Sequence, residues 1–102
     1  MARRFVDEAG QPVDEPQEAI VVVDNCQLPC VEGILQLKQT MLTRWDVSTF
    51  EVISTDLAAE RDYPAWCRRT GQVFVGHQRE THPRWGTVIV SIVRRGGDVG
   101  AR

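Results

Sequence analysis

Cysteine is the residue type of this 102-residue chain with the most chemistry to offer, and two of its three cysteines fall in the stretch "VVVDNCQLPCVEGILQLKQTM". Cys30 stands where a run of valines has ended and a helical pattern begins. Unpaired backbone N–H groups and the positive end of the helix dipole favour a thiolate at such a position, and lower a pKa that is about 8.5 in a free peptide. We therefore expect Cys30 to be an exposed nucleophile or sulfur acceptor. The alternative is a small apolar residue that begins a helix.

The other two cysteines have different contexts. Cys67 lies in "PAWCRR" beside Trp66, inside a second helical pattern, and we expect it to be a buried structural residue. Cys26 precedes Cys30 by four positions, in the connecting loop. It is either a buried loop residue or a candidate second thiol that forms a disulfide with Cys30.

A zinc site deserves testing because the chain contains Cys26, Cys30, His77 and His82. The spacing within each pair comes close to that of structural zinc ligands. The cysteine pair and the histidine pair are, however, far apart in sequence and belong to different predicted elements. We expect no metal and no organic cofactor.

Hydrophobic periodicity predicts four strands and two helices around these residues. In chain order the segments are "AIVVVD", the helix "CVEGILQLKQTML", "STFEVIST", the helix "DLAAERDYPAWCRRTG", "QVFVG" and "GTVIVSIV". The polar stretch "HQRETHPRW" is predicted to be a long connection between the last two strands. The order β-α-β-α-β-β predicts an α/β (α+β) two-layer sandwich, with a four-stranded mixed sheet and both helices on one face.

The ends of the chain differ in composition from this compact unit. Residues 1–18 are acidic, contain two prolines and lack apolar periodicity, so we expect a flexible N-terminal segment. Residues 19–95 are predicted to form the domain. Residues 96–102, with little to bury, are predicted to be a flexible C-terminal tail.

Composition narrows the classes of function. The formal net charge is −2 at pH 7, which opposes nucleic-acid binding despite the loosely grouped Arg68, Arg69, Arg79 and Arg84. No apolar run approaches the roughly 20 residues that span a bilayer, so no membrane partner is expected. The N-terminal residues lack the pattern of a secretory signal, and three cysteines are an odd number. We expect a cytoplasmic monomer with reduced thiols.

Two stretches resemble the TusA (SirA-like) family of small sulfur carrier proteins. The opening signature of that family is Asp, two variable residues, Gly, Leu, one variable residue, Cys-Pro-x-Pro and an apolar position. The stretch "DNCQLPCVEGIL" matches it at Asp24, Leu28, Cys30, Ile34 and Leu35. The stretch "TDLAAERDYPAWCRRTGQVFV" is similar to the second helix of the family at Asp56, Ala58, Arg61, Asp62, Pro64, Trp66, Cys67 and Gly71.

The departures from the family signature surround the cysteine. Gln27 replaces the usual glycine, and Val31 and Gly33 replace the two prolines. Glu32 occupies the variable position between those prolines, where an acidic residue is common in the family. The resemblance covers roughly residues 20–95.

The resemblance implies that Cys30 accepts sulfane sulfur as a persulfide and relays it to an acceptor protein. The donor would be a cysteine desulfurase or a rhodanese-like protein, and Asp24 and Glu32 would support the site. The pathway could be tRNA thiolation, molybdenum-cofactor sulfuration or sulfur oxidation. Two alternatives stay open: an interaction or regulatory module of the same fold without transfer activity, and a thiol-redox protein that uses Cys26 and Cys30 as a pair.

Overall fold

A computed structural model describes residues 3–96 as eight elements of secondary structure. In chain order these are β1 (Phe5–Val6), β2 (Pro12–Val13), β3 (Ile20–Asn25), α1 (Cys30–Thr43), β4 (Thr49–Ser54), α2 (Ala59–Thr70), β5 (Val73–His82) and β6 (Gly86–Arg94).

The strands form one sheet with the order β2-β1-β5-β6-β4-β3. β3 and β4 run parallel and are joined through α1, whereas the other neighbouring pairs are antiparallel. The predicted mixed sheet with two helices is therefore confirmed. The predicted number of strands is wrong, because the described residues contain six strands instead of four.

Both helices pack on the same face of the sheet. The side chains that they bury share one apolar cluster with alternate residues of β4 and β6. Its members include Leu37, Met41, Tyr63, Trp66, Phe50, Val52, Ile89 and Val93. Phe50 and Val52, alternate residues of β4, both contribute to this buried face. Leu35 and Leu42 follow the same helical spacing as the buried residues of α1, yet both are exposed.

The two additional strands come from the segment that was expected to be flexible. They form an antiparallel hairpin beside β5, and Phe5 is only 1% exposed. Phe5 packs against Val88, Val90 and Ile92, which alternate along β6 with the residues that face the helices. The face of the sheet without helices is therefore apolar in its centre and needs a cover. Phe5 covers much of this apolar surface, although its segment lacks the periodicity by which strands are recognised in sequence.

The hairpin is held in place by charge and by close packing. The guanidinium of Arg3 donates to both carboxylate oxygens of Glu51, at 2.6 and 2.9 Å. It also donates to Glu80 at 2.9 Å. A Cβ at Gly76 would lie 2.7 Å from Val13 Cγ2, so the absence of a side chain at this point of β5 lets the hairpin approach.

The polar stretch between the last two strands is mostly strand as well. β5 continues to His82 and pairs with β6 up to Gly86. The imidazole Nδ1 of His82 accepts the N–H groups of Arg84 and Trp85, at 3.0 and 3.2 Å, and so closes a tight turn. The predicted long connection is wrong, because backbone pairing with β6 keeps these polar residues in an extended strand. Of the predicted C-terminal tail, residues 97–102 lie outside the described residues.

Candidate functional site

The candidate site lies at the edge of the sheet where β3 and β4 end. Because the two strands are parallel neighbours, their carboxyl ends meet at the same edge. The loop after β3 leads to Cys30, the first residue of α1, and the loop after β4 contains Asp56 and leads to α2. Residues far apart in sequence are thus brought to one corner.

The loop before Cys30 is ordered by its own backbone and by its neighbours. The Asp24 carboxylate accepts the N–H of Cys26 at 3.0 Å. Gln27 has a φ of 68°, in the left-handed region that favours glycine. Its N–H donates to Thr55 Oγ1 at 2.7 Å, which ties the loop to the end of β4. Gln27 therefore adopts a glycine conformation at the position where the sulfur carrier signature has glycine.

Cys30 is the first residue of α1, but its thiol is not exposed to solvent. Its backbone N–H donates to Asp56 Oδ2 at 3.0 Å, so a carboxylate occupies the positive end of the helix. The residue is 7% exposed and belongs to the apolar cluster between the helices and the sheet. The negative charge of Asp62, in the first turn of α2, disfavours ionisation of the thiol. The expectation of an exposed thiol is therefore wrong for the free chain.

The environment of Cys30 raises its pKa to about 12. Burial is the largest cause, followed by the negative charges of Asp62 and Asp56, which Arg61 partly offsets. The lowered pKa expected from the helix dipole is wrong, because Asp56 neutralises the helix end and the thiol is desolvated. At pH 7 the thiol of the free chain is therefore protonated.

A buried polar network lies behind the site. Asn25 Nδ2 donates to the carbonyl oxygen of Gly33 at 2.7 Å and to the Tyr63 hydroxyl at 2.8 Å. Gln36 Nε2 in turn donates to Asn25 Oδ1 and to the Asp24 carbonyl oxygen, both at 2.9 Å. A Cβ at Gly33 would lie 2.8 Å from the Asn25 amide and from the Tyr63 hydroxyl. Glycine at this position allows the first turn of α1 to contact β3 and α2.

The other two cysteines lie apart from Cys30. Cys67 is 1% exposed within the helix-side core, which confirms the structural role expected for it, and burial raises its pKa to about 12. Cys26 is partly buried and packs against the cluster on the opposite face of the sheet. Burial, together with Asp24, raises the pKa of Cys26 to about 11. All three thiols are free.

The remaining candidates are distributed around the molecule. Glu32 is exposed in the first turn of α1. His77 contacts Phe74 edge to face, whereas His82 stacks on Trp85 near the tip of the β5–β6 hairpin. Within residues 3–96, no group of three or more His, Cys, Asp and Glu side chains is arranged to hold a metal ion.

The basic residues weighed for nucleic-acid binding are largely engaged elsewhere. Arg68 pairs with Glu8, and Arg79 pairs with Glu60 at 2.8 Å. Arg84 lies over the ring of Trp85, with its guanidinium carbon 4.8 Å from the centroid. Each of these three cations therefore already has a partner within the chain.

Sequence reasoning did not assign Asp56 and Asp62 to the surroundings of Cys30. A signal for Asp56 was present, since it follows the second of two strands joined by a single helix, and strands joined in this way commonly run parallel with their ends at one edge. The proximity of Asp62 depends on how α2 is rotated against α1, which periodicity alone does not specify.

Neither helix of the described region is long and apolar enough to cross a membrane. Comparison of the chain with protein-family models, curated proteins and solved structures finds no match.

Proposed function

We propose that this chain is a sulfur carrier of the TusA (SirA-like) type, which accepts sulfane sulfur on Cys30 as a persulfide and relays it to an acceptor protein. The observation that carries the proposal is the position of Cys30 as the first residue of α1, at the common edge of β3 and β4. Two local features support it. Gln27 has a left-handed backbone conformation, which favours glycine, at the position where the sulfur carrier signature has glycine, and Asp24 orders the loop.

The transfer needs only one cysteine on the carrier. The Cys30 thiolate attacks the terminal sulfur of a donor persulfide, so a bond forms between Cys30 Sγ and that sulfur while the S–S bond of the donor breaks. The donor leaves as a thiolate and takes up the proton that Cys30 lost. Cys–SH and R–S–SH thus become Cys–S–SH and R–SH, without an external oxidant or reductant.

The first experiment measures sulfur loading by intact mass. The chain is incubated with a cysteine desulfurase and cysteine, and we expect a gain of one sulfur atom that a reductant removes. Cys30→Ala should gain none. Cys26→Ala should load like the wild type and serves as the matched control, because Cys26 lies in the same loop but on the other face of the sheet. Loading that persists in Cys30→Ala would refute the proposal.

The thiol-redox alternative requires Cys26 and Cys30 to meet. Their side chains belong to different apolar clusters on opposite faces of the sheet, which argues against a bridge without rearrangement of the loop. A quantitative disulfide between the two after mild oxidation, together with loss of function in Cys26→Ala, would establish this alternative instead.

The second candidate function is a protein-interaction module without transfer activity. The specific observation in its favour is that Cys30 is only 7% exposed, and this burial disfavours the nucleophilic form in the free chain. A wild type that never gains sulfur, even from a small persulfide added in excess, would favour this module over the carrier.

A further inference from the structure

The two edge strands of the sheet differ in how well they are protected from pairing with another chain. β2, at one edge, has two residues and begins with Pro12, which cannot donate a hydrogen bond to a neighbouring strand. β3, at the other edge, has the six residues "IVVVDN", without proline, lysine or a bulge. Val22, near its middle, is 56% exposed. The β3 edge therefore has the features of a strand that can accept a further neighbour.

The backbone of β3 directs hydrogen-bonding groups outward at alternate residues. The carbonyl oxygen of Asp24 accepts from Gln36 Nε2 at 2.9 Å, so this carbonyl points away from β4. In a parallel ladder, residues whose N–H and C=O bond to the neighbouring strand alternate with residues whose groups point away from it. By this alternation the groups of Ile20 and Val22 also point outward, while those of Val23 bond to β4. Within residues 3–96, no backbone bond from a loop or turn satisfies the groups of Val22.

β3 is complementary to itself when two copies run antiparallel about Val22. Val22 then lies opposite Val22 of the second copy, and the two residues exchange both N–H···O=C bonds. Ile20 lies opposite Asp24, so no two charges of the same sign face each other. The Val22 side chain is on the sheet face without helices, because Val21 and Val23 pack in the helix-side cluster. Pairing therefore covers an exposed valine with another valine.

The flank of α1 beside this edge suits a second copy of the same helix. A depression of about 400 Å³ lies along α1, and Gln36 connects one end of it to β3. The residues that line it are uncharged: Gln36, Gln39, Thr40, Leu42 and Thr43. β3 extends about 7 Å from Asp24 to Val22, and α1 runs back along it at about 1.5 Å per residue. Thr40, four residues beyond Gln36, is therefore about level with Val22.

Pairing of the strands would bring the two helices to a normal packing distance. α1 packs against both β3 and β4, so its axis lies between these two strands. Two copies joined at β3 then place the two α1 axes about two strand spacings apart, which is about 10 Å. Packed helices are usually about 8–10 Å apart. The same symmetry that pairs the strands thus also packs the uncharged flanks of the helices.

We propose that the β3 edge is the interface of a homodimer, in which two copies of this chain pair antiparallel at Val22 and join their sheets. This inference goes beyond the proposed sulfur transfer and does not depend on it, and it replaces the monomer expected from the sequence. Cys30 follows the carboxyl end of β3, so antiparallel pairing places the two Cys30 residues at opposite ends of the interface. Each copy therefore keeps a separate site.

Sedimentation equilibrium of the full chain measures the association. We expect the wild type to reach twice the mass of one chain as its concentration rises. Val22→Lys should raise the dissociation constant of the dimer about tenfold or more, because it removes an apolar pair and places two like charges opposite each other. Val31→Lys is the matched control, since Val31 is an exposed valine at the start of α1, away from the paired strands. Equal weakening by both substitutions, or by neither, would overturn the interface.

A mixture of two variants tests the pairing at Val22 itself. Val22→Glu alone should be weakened like Val22→Lys, because it also places like charges opposite each other. An equal mixture of the two should associate more tightly than either alone, since the unlike charges then face each other across the symmetry axis. This recovery is specific to a dimer in which position 22 meets itself. A mixture no tighter than the separate variants would overturn the proposed register.

Amide hydrogen exchange tests the interface without any substitution. The N–H groups of Ile20 and Val22 point outward, so their exchange should slow as the concentration of the wild type rises. The N–H of Val23 bonds to β4 in each copy and should be protected at every concentration, which makes it the internal control. Exchange at Val22 that does not depend on concentration would overturn the dimer. A wild type that stays a monomer, and binds a strand of some other protein at β3, would overturn it as well.

Discussion

At Gln27 the fold requires a backbone conformation that is unfavourable for a residue with a side chain. Its φ of 68° places a side chain where glycine is unstrained. The loop accepts this because the N–H of Gln27 donates to Thr55 and the adjacent N–H of Cys26 donates to Asp24. The strain is therefore a local cost of keeping the corner before Cys30 in place.

Gln27→Gly should increase the free energy of unfolding by about 0.5–1 kcal/mol. A left-handed backbone costs a non-glycine residue about 1–2 kcal/mol, and the greater freedom of glycine in the unfolded chain offsets about half of the relief. Urea denaturation measures the change. Gln27→Ala retains the strain and should stay within about 0.5 kcal/mol of the wild type. A destabilised glycine variant would show that the loop is not strained.

Gly33→Ala should destabilise the chain by about 1–3 kcal/mol, although helix propensity alone predicts a gain of about 1 kcal/mol. The added methyl group would lie 2.8 Å from the Asn25 amide and the Tyr63 hydroxyl, both fixed in the buried network. Thermal or chemical unfolding decides between the two signs. Gln39→Ala, an exposed substitution in the same helix, should be close to neutral. A stabilised Gly33→Ala variant would mean that α1 can move away from Tyr63.

At the scale of elements, the N-terminal hairpin is the largest difference between the predicted sandwich and the structure. A two-layer sandwich leaves one face of its sheet uncovered, and β6 is apolar on both faces. The hairpin covers the second face with Phe5, while Arg3 pairs with Glu51, which is itself buried. The hairpin is accordingly part of the packed structure in the described region.

Phe5→Ala should lower the free energy of unfolding by about 3–5 kcal/mol, as expected when a fully buried aromatic side chain is truncated. Chemical denaturation of the full chain measures this. Gln11→Ala, at an exposed position of the same hairpin, should have almost no effect. A loss below about 1 kcal/mol in Phe5→Ala would indicate that residues 5–13 leave the sheet in solution, as a flexible segment would.

At the scale of the whole molecule, burial of the thiols links stability to alkaline pH. The thiol pKa, ordinarily about 8.5 to 9, rises to about 11 for Cys26 and about 12 for Cys30 and Cys67. The folded chain therefore keeps these thiols protonated at pH values where the unfolded chain releases the protons. The stabilising effect is fully present below pH 9 and is lost as the pH rises from 9 toward 12.

We expect the urea midpoint to be constant between pH 7 and 8.5 and to fall steadily above pH 9. Each buried thiol contributes at most about 1.4 kcal/mol of loss per pH unit. Cys67→Ala should show a smaller fall over the same range, whatever its stability at neutral pH, because one of the linked protons is gone. A fall of the same size in Cys67→Ala and wild type would show that other groups control the alkaline transition.

The sequence by itself determined the order of the main elements, because apolar spacing reports which faces must be buried. It also predicted that Cys67 is buried and that Cys30 begins a helix. The helix-side layer could be predicted because each of its elements has a periodic apolar face of its own. The hairpin around Phe5 has no such period, and its burial depends on a surface formed by β6, about eighty residues away.

Only the tertiary structure decided the state of Cys30. Sequence places the cysteine at a helix start, where an isolated helix would favour the thiolate. Folding adds the carboxylates of Asp56 and Asp62 from a different loop and helix, and buries the thiol among apolar side chains, which reverses the direction of the pKa shift. Electrostatic effects at a site are sums over all neighbours in space, whereas the sequence reveals only the neighbours along the chain.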